Sequence, residues 1–319
     1  MSRIALVHPL TLLGKEISER LSQRPDLCSE LRLFAIDESM IGTLTAGVDG
    51  AAIVGRVEED SFERMDLVIL AGEAALDRRA LTSLPASARA VIASRGASIE
   101  DGVPAIAGVA EEAWTSRDRL LAPSAAVVGL TRLLAPLRGL GLRRAVATIA
   151  LPVSADDARG IDTLLEETRA VLAFAKSPKL ALYPAQIAFN LLPGKLAGAE
   201  IAREVEAALD LAGVLVVQTV QAAVFHAVGC SLFVELDRPL DPAALRKLLA
   251  KSSGISAVKA TTALGPVQAA GEEKLLLGDV QPAGANGFWI WAAIDNLTVG
   301  GAANVLEIAS RLLGVSAPN

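Results

Sequence analysis

The sequence is poor in aromatic residues and cysteine, and it has no surplus of basic charge. Aromatic side chains make up 3% of its 319 residues, and 30 Lys and Arg stand against 36 Asp and Glu, for a formal net charge of −6. Nucleic-acid recognition needs a basic footprint, so that class of partner is excluded. The two cysteines, Cys28 and Cys230, are too few and too far apart for a disulfide framework or a zinc site. We therefore expect reduced thiols in a cytoplasmic protein without a metal centre.

One stretch, residues 213–234, carries no charge and is long enough to raise the question of a membrane span. It contains glutamine, threonine and histidine and is rich in β-branched residues. Two successive buried strands explain this composition better than a transmembrane helix. The first residues run directly into a strand-like segment without an apolar leader region, which predicts no signal peptide.

Apolar residues make up 52% of the chain, enough for a large core. In the first third, strand-like runs at residues 4–7, 31–36, 66–72 and 90–93 are separated by helix-length segments, one of them the amphipathic stretch 12–21. Such spacing requires crossover connections and therefore a parallel sheet. We predict a doubly wound, Rossmann-like α/β domain here.

The middle of the chain has longer β-runs. Strands are predicted at residues 144–150, 215–225 and 230–236, and helices at 127–137, 156–176, 200–211 and 241–251, the last with Asp241 as its cap. This mixture predicts an α+β domain. A final helix, residues 302–313, follows Gly300-Gly301. The predicted organisation is a Rossmann-like domain over residues 1–124, completed by 300–319, and an α+β domain over 125–299.

Three segments carry a family resemblance. Residues 186–193 read Q-I-A-F-N-L-L-P, similar to an I-A-F-N-x-I-P motif; residues 220–226 read V-Q-A-A-V-F-H, similar to the strand before a catalytic histidine, with R-P-L following at 238–240. Residues 288–304 are similar to a W-x-x-x-D-N-L-x-x-G-A-A-x-N signature with one extra residue before the Asp-Asn pair. In this order and spacing the segments resemble the aspartate-semialdehyde dehydrogenase family, especially its Usg-like paralogues.

The resemblance implies a cytoplasmic homodimer of amino-acid biosynthesis. Its N-terminal domain would bind NADP, and its C-terminal domain would serve dimerisation and catalysis. The family reaction is the reductive dephosphorylation of an acyl phosphate to an aldehyde through a cysteine thioester. Such chemistry needs a thiolate nucleophile, a histidine that moves protons, and donors for carboxylate and phosphate.

The two catalytic slots of the family are altered in this chain. Ala125 stands where a G-N-C-T pattern has its cysteine, and Val228 stands where a G-H-S pattern has its histidine. Ser124 lies one position from the nucleophile slot, and we interpret it as a helix N-cap, with a relocated nucleophile as the alternative. His226 lies two residues before the base slot, a displacement of roughly 6–7 Å along a strand. A dyad of His226 with Cys230 would require the chain to reverse between them.

The substrate-binding slots are altered as well. The resemblance aligns Leu151 with a substrate glutamine, and S-A-D-D at residues 154–157 replaces an S-G-x-G loop. Two carboxylates there would repel an acyl phosphate. Ser98 stands where the family pattern has a phosphate-binding arginine. The nearby Arg95 is the residue that could take over phosphate binding.

The dinucleotide loop is the last test. Residues 8–14 read H-P-L-T-L-L-G in place of G-x-x-G-x-x-G, so only Gly14 survives. Pro9 removes an amide donor, and the three leucines are expected to crowd the turn. Thr11 can still cap the following helix. NADP binding is doubtful, and the residues that would touch it are Thr11, Leu12, Leu13, Asn296 and Gly300.

Because the catalytic, substrate-binding and cofactor-binding residues all differ from the family patterns, we predict a catalytically inactive homologue that acts by binding or assembly. Its partner is a second copy of itself, with an unidentified protein as a further candidate. The alternative is an NAD(P)-dependent semialdehyde dehydrogenase with a remodelled site.

Overall fold

The computed structural model describes residues 2–48, 50–85, 88–175, 182–194, 198–259 and 261–315. The chain forms two compact units. The first comprises Met1–Ser124 with Gly301–Asn319, and the second comprises Ala125–Gly300.

The first unit is built on a seven-stranded parallel sheet, which confirms the Rossmann-like prediction. Its strand order is β5-β2-β1-β6-β7-β9-β8, and a hairpin of β3 and β4 lies apart from it. The strands are β1 Arg3–Val7, β2 Glu30–Ala35, β3 Leu44–Gly47, β4 Gly50–Ile53, β5 Gly55–Arg56, β6 Leu67–Leu70, β7 Arg89–Ile92, β8 Val103–Pro104 and β9 Arg119–Leu121. The helices are α1 Leu12–Ser22, α2 Ala74–Ala80 and the C-terminal helix Ala303–Leu313.

The core of this unit explains its sequence pattern. Every residue of β6 is buried, as is all of β1 after its first residue, because helices cover both faces of a doubly wound parallel sheet. Thr11 caps α1 as predicted: its side chain accepts a hydrogen bond from the Gly14 amide at 3.0 Å.

The second unit contains a mixed seven-stranded sheet, as the α+β prediction requires. Its order is β11-β12-β10-β13-β16-β15-β14, with β10–β12 and β14–β15 parallel and the other pairs antiparallel. The strands are β10 Leu142–Leu151, β11 Leu191–Pro193, β12 Leu215–Ala222, β13 Val228–Leu236, β14 Ile255–Ala257, β15 Leu275–Pro282 and β16 Gly287–Ile294. The helices are α3 Ala125–Leu134, α4 Asp157–Leu172, α5 Gly198–Leu209, α6 Pro242–Ala250 and α7 Pro266–Ala269.

The charge-free stretch 213–234 folds into β12 and β13, which confirms the two-strand interpretation. Within the described ranges, no helix is both long and apolar enough to span a membrane. Asp241 caps α6 as predicted, accepting a hydrogen bond from the Ala244 amide at 3.0 Å.

Several predicted boundaries were wrong. Helix α3 begins at Ala125 and changes to a 3-10 turn at Ala135, because Pro136 cannot donate the next helical hydrogen bond. Strand β12 ends at Ala222 instead of residue 225. Helix α4 ends at Leu172, and the predicted end at residue 176 lies outside the described residues.

The two faces of the second sheet differ in burial. On one face, alternate residues of β10, β13 and β16 are buried, among them Ala147, Leu232 and Ile290. The residues between them face the other way and are more accessible, as at Val146, Phe233 and Trp289. We call the first the covered face and the second the open face.

Candidate functional site

The two residues that the resemblance assigns to the catalytic slots meet in the second unit. Ala125 at the start of α3 and Val228 at the start of β13 line the same pocket on the covered face. The pocket has about 10 Å³ of free volume, room for roughly one water. Its lining is hydrocarbon except for the thiol of Cys230. Where the family pattern has a nucleophile and a base, this pocket offers neither a carboxylate nor an imidazole.

Cys230 does not replace the missing nucleophile. Burial raises the pKa of its thiol to about 12, and burial is the only cause of that shift. The thiol is therefore protonated at neutral pH, and the thiolate is the nucleophilic form. Cys28 is also buried, and its sulfur donates to the Glu30 carbonyl at 3.3 Å.

His226 and Ser124 do not join this pocket. His226 lies in the connection between β12 and β13, where the chain turns through Ala227 at a φ of +69°. The chain bends only at Ala227, because Val228 and Gly229 are already extended in β13, and His226 is not among the residues that line the pocket of Cys230. Ser124 is exposed at the boundary between the two units, and its role as an N-cap stays a prediction.

Asn296 is held by partners of its own unit. Its side-chain oxygen accepts from the Ala227 amide at 2.9 Å, and its nitrogen donates to the buried Ser154 hydroxyl at 3.1 Å. Gly300 packs against the nucleophile slot, since a Cβ on it would stand 2.3 Å from that of Ala125. Both retained residues therefore have structural roles that do not depend on a cofactor.

The substrate-binding slots are occupied by apolar or paired groups. Leu151 ends β10 in a buried position, and its carbonyl accepts from the buried Gln221 side chain at 3.1 Å. Arg95 forms an ion pair with Glu73, so its charge is already compensated. Ser98 lies in a turn in which its amide donates to Asp101 at 3.0 Å. Leu151 therefore offers no polar side chain to a substrate, and the guanidinium of Arg95 is paired with the Glu73 carboxylate.

Backbone geometry follows the family pattern where side chains do not. Three residues in slots that the family motifs fill with glycine have left-handed backbones: His8 at φ +62°, Asp157 at +62° and Ala227 at +69°. Glycine adopts this conformation freely, whereas other residues pay about 1–2 kcal/mol. Each of these three residues therefore has a φ value that glycine would adopt without strain.

This strain predicts the effect of Ala227→Gly. The substitution should leave the free energy of unfolding unchanged or raise it by up to about 1 kcal/mol, because glycine relieves the left-handed strain. Ala147→Gly, on β10 and equally buried, should cost about 1 kcal/mol or more. Urea unfolding of both variants checks this, and an equal loss in the two would contradict it.

In the first unit, the loop between β1 and α1 differs from the prediction. Leu10 and Leu13 pack against the hydrophobic core of the unit, and Leu12 is half-buried. They do not crowd the turn as expected. The side chain that reaches across the strand ends is His8, which the sequence analysis did not single out. Its signal was a histidine, with proline behind it, directly after the first strand.

His8 is 1% exposed and belongs to a buried hydrogen-bond network. Its Nδ1 lies 2.7 Å from Oδ1 of Asp77, and Oδ2 of Asp77 accepts from the Gly72 amide at 2.8 Å and the Ser94 hydroxyl at 2.6 Å. Its Nε2 accepts longer hydrogen bonds from the amides of Ile36 and Asp37, at 3.3 and 3.4 Å. Among the described residues, no group of three or more His, Cys, Asp or Glu could hold a metal ion.

The fold defines the class of protein: an α/β chain with a Rossmann-type unit and an α+β unit. No family model matches the chain. It is 28% identical to a USG-1 protein homolog of Azotobacter vinelandii and 22% identical to the aspartate-semialdehyde dehydrogenase of Rickettsia bellii, each over 97% of both chains. The structure of a probable aspartate-semialdehyde dehydrogenase from Pseudomonas aeruginosa superimposes with a TM-score of 0.89 at 26% identity, over 98% of both chains. The chain is thus similar, over nearly its whole length, to aspartate-semialdehyde dehydrogenases and USG-1 proteins.

Proposed function

We propose that this protein is a catalytically inactive homologue of the aspartate-semialdehyde dehydrogenases that acts by binding and assembly as a homodimer. The observation that carries the proposal is the apolar pocket at the catalytic slots. Ala125 can form no thioester, and Val228 can neither accept nor deliver a proton. The one thiol in the pocket, Cys230, is held protonated by burial.

The cofactor slot supports the same proposal, because its residues do not fit a dinucleotide. In a Rossmann unit, pyrophosphate binds at the start of the first helix, where glycines let backbone amides approach closely. Here Pro9 supplies no amide, and the first glycine slot carries the imidazole of His8. At the end of β2, hydrogen bonds from Ser39 hold the pKa of Asp37 below its usual range. This carboxylate opposes the extra phosphate of NADP, although it would not oppose the free ribose hydroxyl of NAD.

We therefore expect NADP to bind at least about a hundredfold more weakly than to an active relative, a loss of about 3 kcal/mol. Isothermal titration calorimetry on the purified protein measures this directly. An active aspartate-semialdehyde dehydrogenase titrated under the same conditions is the control. Micromolar affinity in the present protein would contradict the expectation.

The open face of the second sheet supports assembly. Val216, Val146, Phe233 and Trp289 are cross-strand neighbours on four successive strands. Val216 is 58% exposed and Trp289 45%, and the rings of Phe233 and Trp289 lie 5.3 Å apart. The next row, Thr148, Gln218, Ser231 and Trp291, is polar or aromatic but uncharged.

The edge strand adds apolar residues to the open face on the far side of the polar row. Leu191 and Pro193 of β11 pair with Ala222 and Val220 of β12, so they share the open face, and Leu191 is 67% exposed. Contiguous exposed apolar patches mark interaction surfaces. In a twofold interface the same patch meets itself, and a patch with one sign of charge would repel its copy. The uncharged centre of the open face suits a second copy of this chain.

A further inference from the structure

The His8 network lies where an open α/β sheet binds its ligand. Ligands of such sheets bind beyond the carboxyl ends of the strands, at the point where the strand order reverses. In the first unit the strand order reverses between β1 and β6, because β1 has β2 on one side and β6 on its other side. His8 directly follows β1, and Gly72 and Asp77 follow β6.

The network joins four adjacent strand ends. From Nε2 of His8, hydrogen bonds reach the amides of Ile36 and Asp37 after β2; from Nδ1, a bond reaches Asp77 after β6. Asp77 in turn accepts from Ser94 after β7. Strands β2, β1, β6 and β7 are neighbours in that order. The bonds therefore link the carboxyl ends of four neighbouring strands, at the edge where α/β sheets of this type bind their ligands.

The surroundings of His8 are shaped to admit its ring. A Cβ on Gly72 would stand 2.3 Å from Nδ1 of His8, so only glycine tolerates the imidazole here. Asp77 is 1% exposed and Ser94 7%. A carboxylate so deeply buried is costly unless its hydrogen bonds are satisfied, and here both of its oxygens accept them. These buried and hydrogen-bonded contacts form a defined site for the His8 ring.

We propose that His8 is a permanent internal occupant of the dinucleotide crevice, tying the strand ends together and excluding the cofactor. The inference rests on the proposed function and names the residue responsible for the lost cofactor binding. Because two backbone amides donate to Nε2, that nitrogen carries no proton, and Nδ1 donates its proton to Asp77. His8 is thus a positioning residue with a defined tautomer.

The tautomer gives a direct test. The chain contains two histidines, His8 and His226, so a His226→Asn variant with ¹⁵N-labelled histidine reports on His8 alone. We expect NMR spectra to show a proton on Nδ1 and a bare Nε2, with slow exchange of the Nδ1 proton. The spectrum should stay unchanged when NADP is added. A solvent-exchanging ring, or a proton on Nε2, would overturn the proposal.

A second experiment removes the ring. His8→Gly should lower the melting temperature by at least about 4 °C despite relieving a left-handed backbone, because buried hydrogen bonds are lost. Millimolar imidazole should recover part of this loss in His8→Gly and none in an Ile69→Ala control, which leaves a buried cavity in β6 without hydrogen-bond partners for the ring. Should His8→Gly fail to fold, His8→Asn, whose side chain tolerates a left-handed backbone, takes its place in the same rescue. The absence of any imidazole effect in a folded variant would count against the occupant.

Titration with NADP separates the two proposals. No binding by the wild type, together with the expected His8 tautomer, supports both. Micromolar binding by the wild type refutes the role of His8, but it does not refute the inactivity proposed from Ala125 and Val228, which the activity assay tests. No binding by the wild type but a freely exchanging His8 ring leaves the proposed function standing and refutes the role of His8.

Discussion

Replacing Val216 and Trp289 together by glutamate should dissociate the protein into monomers. The wild type should have twice the chain mass of 33.0 kDa in light scattering at micromolar concentration, and the double variant a mass near 33.0 kDa. In a twofold interface each introduced charge is buried against the partner's copy of the same patch. Unpaired buried charges cost several kcal/mol, so association should weaken at least about a thousandfold.

Ile53→Glu is the matched control for this experiment. Ile53 is a β-branched strand residue, 65% exposed, on β4 of the first unit, and it is not part of the open face. The variant should retain the mass of the wild type. Circular dichroism must show that all three proteins are folded. A wild type near 33.0 kDa, or a double variant that stays dimeric, would show that the open face is not the interface.

Restoring the nucleophile alone should not restore turnover. Ala125→Cys places a thiol in the same apolar pocket as Cys230, where burial keeps the thiol protonated. The catalytic groups of an enzyme act as a unit, and loss of one removes most of the advantage of the others. Both Ala125→Cys and Ala125→Cys/Val228→His should remain at least about ten-thousandfold slower than an active relative.

Alkylation by iodoacetamide reports on the introduced thiol without requiring turnover. Ala126→Cys is the control, since Ala126 neighbours Ala125 on α3 and lines the same pocket. We expect both thiols to react slowly at pH 7 and faster only at higher pH. Rapid alkylation of the Ala125→Cys variant alone would mean that the pocket still activates a nucleophile.

The sequence was sufficient to predict the fold because its strands are simple periodic signals. Buried β1 and β6 read as continuous apolar runs, and the charge-free stretch around β12 and β13 had both length and β-branched content. Boundaries were less predictable. The end of β12 depends on where the chain must turn toward β13, and that turn uses Ala227 instead of a recognisable glycine.

The candidate site was predictable only in part. Alignment with the family patterns located Ala125 and Val228, and the structure brings them to one pocket. The same patterns did not identify His8. The loss of a glycine from a motif does not show where the side chain that replaces it will point. In sequence, Asp77 lies 69 residues from His8, and Ser94 lies 17 residues from Asp77. Only the parallel sheet brings them together.

Activity of the wild-type protein tests the central proposal most directly. The purified protein is assayed for NADPH-dependent reduction of an acyl phosphate and for the reverse oxidation of aspartate semialdehyde, beside a Ser124→Ala variant and a control without protein. We predict no turnover above that control in either direction. Turnover in the wild type that vanishes in Ser124→Ala would contradict the account and identify Ser124 as a relocated nucleophile in an NAD(P)-dependent dehydrogenase with a remodelled site.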